Sequence, residues 1–168
     1  WDDRNDAHNL DVFVQRTQGV TNIYALCMTQ APETYHHWKI FSPGTSGVCI
    51  CFNKKKLIQA TKNIAGLQAK KVEYKQLKDL ENVQLKTEEI PFIKRYPFRD
   101  EREFRVIRTS AKSKGRTFPI TVPRSAIEAV ILSPWIPRDV AVKVAQTLRK
   151  IDGCSKLPIK HTLLVVNQ

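Results

Sequence analysis

The sequence predicts an α+β fold, in which a curved or split, mainly antiparallel sheet carries two or three helices. Short apolar runs typical of strands outnumber helical patterns, and the helical patterns stand between them. No repeat or interdomain linker interrupts this order, and 168 residues is a usual length for one compact domain. We therefore predict a single domain over residues 1–168. Because the chain begins at Trp1 rather than methionine, we expect it to lack an N-terminal segment of the full-length protein.

The first part of the chain is polar and then strand-like. Residues 1–11 are dense in short polar side chains that form turns and caps. Residues 10–14 fit a short strand or the first turn of a helix. Residues 22–28 are apolar and predict a buried strand. Residues 29–44 are rich in Tyr, His and Trp and predict an irregular segment.

A strand followed by a helix is predicted next. Residues 47–52 form an apolar run typical of a strand. Asn53 is a favourable N-cap for a helix over residues 54–64, and Gly66 provides its stop. Residues 71–75 alternate between polar and apolar side chains, which predicts a half-exposed strand.

The middle of the chain predicts a charged connection and then a hairpin. Residues 77–89 are charged and predict a loop or a short helix. Residues 104–108 and 118–122 are strand-like and flank a Ser/Lys/Gly-rich turn, which favours a β-hairpin. Residues 127–132 predict an apolar strand that ends at Ser-Pro.

The clearest helical pattern follows this strand. Asp139 lies near its start and Gly153 ends it. One helical face carries the apolar residues Val140, Val144, Leu148 and Ile151. Residues 161–166 then predict a final strand.

The charge of the chain points to an anionic partner. Its 28 Lys+Arg outnumber its 16 Asp+Glu, which gives a net charge of +12 and favours nucleic acid or another polyanion. A solvated surface that happens to be basic is the alternative. The positive excess is concentrated in residues 94–124. Aromatic residues stand among these cations, and they either stack on bases or belong to the core. The residues expected to contact nucleic acid are Arg99, Arg102, Lys112, Lys114 and Arg116. No apolar run approaches the roughly 20 residues that span a bilayer, so we expect no membrane association.

The cysteine pattern gives no sign of a metal centre. The chain has Cys27, Cys49, Cys51 and Cys154 but no Cys-x-x-Cys. We expect Cys49 and Cys51 to point to opposite faces of a strand, which suits neither a shared metal nor a mutual disulfide. The sequence therefore predicts no metal, and reduced, mostly buried thiols in a cytoplasmic protein.

Three clusters of polar residues could carry chemistry. Residues 2–8 hold three carboxylates, a histidine and Arg4, which suit a metal, a phosphate or simply a capped turn. Residues 34–38 offer a tyrosine, two histidines and a tryptophan, or else a packed tryptophan with surface histidines. Residues 94–105 end in Glu101 and Glu103, which we expect to share one strand face with the next cation along it. A surface ladder of ion pairs would have the same sequence.

In their order, these clusters resemble an uncharacterised bacterial family classified as a domain of unknown function. Its pattern runs N-D-P-F-[DE], C-F-S, M-W-x-H-Y-A, G-V-C, V-x-Y and K with W-x-Y-E-x-E-[YFW]-R. The segments that stand at these blocks are residues 5–8, 27–38, 47–52, 72–74 and 94–105. No proline follows Asn5-Asp6, and Tyr-His-His-Trp replaces the second block's order.

The family's layout is in turn similar to the ADP-ribosyltransferase fold, in which a split sheet holds NAD. The resemblance implies an enzyme that transfers ADP-ribose from NAD to a nucleic-acid or protein acceptor, as a defence or toxin-type effector. It implies catalytic roles for Glu103, Glu101, Tyr35 and His36, and cofactor contacts from Arg4, Trp38 and Arg105. A carboxylate near the ribose would stabilise the oxocarbenium-like transition state.

Two alternatives use the same residues without NAD chemistry. The first is a basic nucleic-acid-binding or nuclease component of a bacterial defence system, which could also act with a partner protein from the same operon. The second is a non-catalytic interaction module.

Overall fold

The computed structural model describes residues 4–17, 19–80, 85–111, 115–162 and 164. The expected α+β fold is confirmed: helices and strands mix, and the strands form three small, open, mostly antiparallel sheets. The helices are α1 (Arg4–Arg16), α2 (Tyr35–Phe41), α3 (Lys54–Thr61), α4 (Leu77–Leu80) and α5 (Arg138–Arg149). The strands are β1 (Asn22–Thr29), β2 (Val48–Phe52), β3 (Leu67–Lys71), β4 (Glu73–Lys75), β5 (Ile93–Arg95), β6 (Glu103–Ser110), β7 (Ile127–Leu132) and β8 (Ile159–His161).

The chain forms two compact units, and each is built from two separate stretches. The first unit comprises Trp1–Pro32 and Asn63–Ile120, and the second comprises Glu33–Lys62 and Thr121–Gln168. Each unit has a three-stranded sheet of its own.

The sheet of the first unit is centred on β6, which lies between β1 and β3 and is antiparallel to both. In this register, Arg105 stands opposite Cys27 on one side and opposite Lys70 on the other. Strands β4 and β5 form a separate parallel pair. The apolar core of this unit includes Phe13, Ile90, Phe92, Phe104, Val106 and Ile107.

The sheet of the second unit has the order β2-β7-β8, with β2 antiparallel and β8 parallel to β7. Helix α3 begins as expected at Asn53, whose side-chain oxygen accepts a hydrogen bond from the Lys56 N–H at 3.0 Å. The core of this unit includes Trp38, Leu57, Ala126, Leu132, Ala141 and Leu157.

The structure corrects two local expectations in the first part of the chain. Residues 4–16 form α1 rather than a turn, since the polar residues that suit turns also suit the start of a helix. The segment 29–44, expected to be irregular, contains α2, which Thr34 caps through a hydrogen bond from the His37 N–H. The molecule therefore has more helices than the two or three expected.

The predicted hairpin is wrong. Strand β6 pairs with β1 and β3, which come much earlier in the chain, and residues 118–122 form no strand. A Ser/Lys/Gly turn indicates that the chain can reverse, but the partner of a strand is decided by non-local packing. The predicted strand over residues 71–75 is also divided at Val72, between β3 and β4.

The last predicted helix and strand exist with altered details. In α5, the buried position is Ala141, whereas Val140 is 40% exposed, so the expected apolar face is rotated. The final strand is β8, which begins at Ile159 instead of 161. Among the residues described, no helix is long and apolar enough to cross a membrane.

Candidate functional site

Four charged side chains form a cluster inside the first unit, and we call it the ionic cluster: Lys94, Glu101, Glu103 and Arg105. Strand β5 supplies Lys94, the end of a 3₁₀ segment (Tyr96–Glu101) supplies Glu101, and β6 supplies Glu103 and Arg105. Lys94, Glu103 and Arg105 are 4%, 5% and 1% exposed, whereas Glu101 is 21% exposed at the side chain.

The cluster is closed by direct hydrogen bonds. Arg105 Nε donates to Glu103 Oε1 at 2.6 Å and its Nη2 donates to Oε2 at 2.9 Å, while Nη1 donates to the Pro91 carbonyl at 2.9 Å. Lys94 Nζ donates to Glu101 Oε2 at 2.6 Å and lies 3.5 Å from Glu103 Oε2. Two positive and two negative side chains therefore neutralise one another, which is what allows them to be buried.

The electrostatics of Glu103 follow from this arrangement. Burial alone raises the pKa of the Glu103 carboxyl, because the charged form loses its water. Hydrogen bonds from Arg105 and Cys27, together with the charges of Arg105 and Lys94, outweigh burial and hold the pKa below its ordinary value. Glu103 is thus an ionised carboxylate with both oxygens in use.

The backbone around Glu103 is also fixed. Its N–H donates to the Tyr74 hydroxyl at 2.8 Å, and its carbonyl accepts from the Val72 N–H at 3.0 Å. Burial raises the pKa of Tyr74, and the negative charges of Glu103 and Glu101 add to the rise. The phenol therefore stays protonated.

A small depression adjoins the ionic cluster, and we call it the Lys71–Arg102 depression. It measures about 180 Å³ and is lined by Gln30, Lys71, Val72, Arg102 and Glu103. Lys71 and Arg102 are both exposed. None of the carboxylates described forms an ion pair with either of them.

Arg102 has an unusual backbone conformation. Its φ of 44° lies in the left-handed region, and it alone among the described non-glycine residues has a positive φ. Its N–H donates to the Arg99 carbonyl at 3.1 Å, and its carbonyl accepts from the Gln30 N–H at 3.0 Å. These bonds hold the strained turn in place and leave the Arg102 guanidinium at the surface, an arrangement that is enriched at functional sites.

The other residues expected to contact nucleic acid are distributed more widely. Arg99 is exposed, and its guanidinium lies 4.5 Å from the centre of the Tyr96 ring. Arg116 is exposed on the irregular segment after β6. Lys112 and Lys114 lie outside the described residues.

Of the other residues that the resemblance assigned to the site, Tyr35, His36 and Trp38 belong to the second unit and Arg4 belongs to the first. Tyr35 is 50% exposed and packs edge-on against Trp135, with ring centres 6.0 Å apart. His36 is exposed. Trp38 is 4% exposed, and its indole N–H donates to Glu33 Oε2 at 2.9 Å, so it is the packed tryptophan of the alternative interpretation. Arg4 begins α1, and its side chain lies outside the described part of the chain.

The expected divergence of Cys49 and Cys51 is wrong. Residues two apart on a strand share a face, and the two thiols of β2 are hydrogen-bonded to each other. Burial, followed by the neighbouring Cys51, raises the pKa of Cys49 to about 11. None of the four cysteines forms a disulfide, and all four are partly exposed. In the described part of the chain, no group of three or more His, Cys, Asp or Glu residues is placed to hold a metal ion.

Sequence reasoning found Glu101, Glu103 and Arg105 but missed how they are held. It expected both carboxylates on one strand face, whereas Glu101 ends a 3₁₀ segment and only Glu103 lies on β6. It also counted Lys94 only as part of the basic excess in residues 94–124. Its position in the same strand as the apolar Ile93, close to two acidic residues in sequence, is the signal that it is buried and paired.

Residues 37–106 match the model of a family described as "Protein of unknown function (DUF2971)". This match fits the expected resemblance to an uncharacterised family, and it includes all of the ionic cluster. The comparison with curated proteins found no match, and neither did the comparison with solved structures.

Proposed function

We propose that this protein binds nucleic acid through the basic surface of its first unit, with a backbone phosphate seated between Lys71 and Arg102. The observation that supports it is the pair of exposed cations, without described carboxylate partners, that both line one polar depression. Phosphate contacts from Lys and Arg supply most of the affinity of non-specific nucleic-acid binding.

The size of the depression favours a phosphate over a larger ligand. Sites that enclose a whole small molecule have volumes of about 300–1,000 Å³, whereas this one measures about 180 Å³. A phosphate group fits such a volume, whereas a dinucleotide such as NAD would extend well beyond it. The rest of a nucleic-acid chain would lie outside, along the surface that carries Arg99.

The ionic cluster has a positioning role in this proposal. Because Lys94 and Arg105 are neutralised internally by Glu101 and Glu103, the cluster adds no net charge to the depression. It fixes the backbone on both sides of Arg102, so binding of a phosphate there needs no ordering of this turn.

ADP-ribosyl transfer from NAD is the second candidate, and Glu101 is the observation that favours it. Glu101 is partly exposed and pairs with Lys94 alone among the described cations, whereas Arg105 occupies both oxygens of Glu103. In this second candidate, Glu101 would contact the substrate, and Glu103 would be a positioning residue. The role as a defence or toxin-type effector stays a prediction.

The direct test compares two charge-matched double variants. K71A/R102A removes the cations of the depression, and K143A/R149A removes two exposed cations of α5 in the second unit. Each charge-assisted hydrogen bond contributes about 1.5–3 kcal/mol, so we expect K71A/R102A, which removes two, to weaken binding of a labelled oligonucleotide by about a hundredfold or more. K143A/R149A should stay near the wild type. Fluorescence anisotropy at low salt measures both, and equal losses in the two variants would contradict the proposed site.

The second candidate has a separate test. Purified protein is incubated with NAD, and released nicotinamide is measured for the wild type, E101Q and E103Q. Loss of nicotinamide release in E101Q, with circular dichroism unchanged, would support catalysis at Glu101. Absence of release in the wild type, with and without an oligonucleotide acceptor, would remove this candidate and leave nucleic-acid binding intact.

A further inference from the structure

Strand β2 is the edge of the sheet in the second unit, and its sequence carries no charge. Among the residues described, it pairs with β7 alone. Val48 and Ile50 project from one face of it and are 49% and 46% exposed. Proteins usually protect such an edge with charged residues, proline or a covering element, because an open apolar edge recruits another strand. None of the five residues from Val48 to Phe52 provides that protection.

The direction of the backbone groups in β2 can be derived from its neighbours. The Gly47 carbonyl accepts from the Ser133 N–H at 3.0 Å, so Gly47 points its polar groups toward β7. The backbone N–H and carbonyl groups of successive strand residues point alternately to opposite sides. Those of Cys49 therefore also point toward β7, while those of Val48 and Ile50 point outward, away from the sheet. The Val130 N–H confirms this pattern, because it donates away from β2, to the Pro158 carbonyl at 2.9 Å.

We infer that β2 pairs with β2 of a second copy of this chain, antiparallel, with Ile50 opposite Ile50 of that copy. A two-fold axis at Ile50 gives the longest pairing of this strand with itself, and symmetric pairing of one surface is the commonest form of association. The outward N–H and carbonyl of Ile50 would then exchange two hydrogen bonds with the same groups of the second copy.

This register also places the cysteines. Cys49 would stand opposite Cys51 of the second copy, and Cys51 opposite Cys49. Because Ile50 forms the hydrogen-bonded pair, the cysteine pairs are of the non-hydrogen-bonded type, whose Cα atoms lie about 4.5 Å apart. That separation falls within the range of about 4.4–6.8 Å for disulfides. The pairing therefore predicts that an oxidant can link the two copies through Cys49 and Cys51.

The charges beside β2 are compatible with two copies. Three exposed lysines, residues 54–56, follow the strand. In an antiparallel pairing, the end of β2 that precedes these lysines lies beside the start of β2 of the second copy, which follows the uncharged residues 44–46, and not beside the lysines of that copy. The lysines of the two copies are therefore kept at opposite ends of the pairing.

The first test measures mass in solution. Because a five-residue strand pairing buries little area, the dimer should depend on concentration. Light scattering over a range of concentrations should show a dimer for the wild type and for V142K, which places a lysine at another exposed apolar position in α5. I50K should be monomeric. A wild type that is monomeric at every concentration, or an I50K that remains dimeric, would overturn the inference.

The second test determines the register with serine variants, which replace only the thiol with a hydroxyl. Diamide removes two protons and two electrons from a facing thiol pair. C49S and C51S alone lack one member of every facing pair, so neither should form a Cys49–Cys51 cross-link. An equimolar mixture of the two should form it, as a disulfide peptide joining two chains in mass spectrometry. Absence of that peptide from both the mixture and the oxidised wild type would overturn the inference.

Discussion

The two units of this protein differ in the kind of side chain that each one buries or exposes against the usual pattern. The first buries charge: Lys94, Glu103 and Arg105 are nearly inaccessible, and carboxylates match cations within the ionic cluster. The second exposes apolar surface: most of the large apolar side chains described as exposed belong to it, including Phe41, Val48 and Ile50. Burial of ions is costly and exposed apolar patches favour association. The comparison therefore suggests ligand binding in the first unit and self-association in the second.

The largest expected effect is at Arg105. Replacing it with methionine leaves the Glu103 carboxylate buried without its bidentate partner. Removing one member of a buried pair costs about 3–5 kcal/mol. We expect R105M to lower the free energy of unfolding, measured by urea denaturation, by that amount. The double variant E103L/R105M should recover much of the loss, because it removes both charges. No recovery would show that the ionic cluster acts through more than its charge balance.

The matching change in the second unit is Leu132→Ala. Leu132 is 1% exposed in the apolar core beside β2. Loss of a buried leucine costs about 2–5 kcal/mol, depending on how far the cavity collapses. We expect L132A to destabilise the protein by that amount without altering the pH dependence of stability. A changed pH dependence would mean that a titratable group is coupled to the packing of this apolar core.

The pH dependence should come from the first unit. Glu103 has a pKa below its ordinary value of 4.5, so its contribution to stability is complete above that pH and is lost as the pH falls through the folded-state pKa. The unfolding free energy of the wild type should therefore decrease below about pH 4.5, and E103Q should show a shallower decrease. Urea denaturation at several pH values measures it. Parallel pH profiles would contradict the lowered pKa.

A smaller effect is expected at Asn53. Its side chain caps α3 by accepting from the Lys56 N–H, and loss of an N-cap costs about 0.5–2 kcal/mol. N53A should lower the unfolding free energy by that amount and N53D should retain most of it. Equal destabilisation by both would show that the Asn53 amide bond to Glu128, at 2.7 Å, matters more than the cap.

Local signals in the sequence predicted the elements that depend on local chemistry. The strands β2 and β7, the cap at Asn53 and the charged residues of the ionic cluster all followed from side chains close in sequence. The two strands that pair with β6 could not be predicted in this way. Residues 22–29 and 67–71 are distant from β6 in sequence, and no local pattern identifies them as its partners. The burial of Lys94 and the left-handed turn at Arg102 depend on the same distant packing.

The slope of binding affinity against salt tests the central proposal most directly. Each phosphate contact adds about 0.9 to the slope of log affinity against log salt for duplex DNA. Because a single phosphate is proposed to lie between them, removing Lys71 and Arg102 together should make the slope shallower by about one, while K143A/R149A keeps the wild-type slope. A slope for K71A/R102A equal to that of the wild type would contradict the account, because no phosphate would then lie between these two side chains.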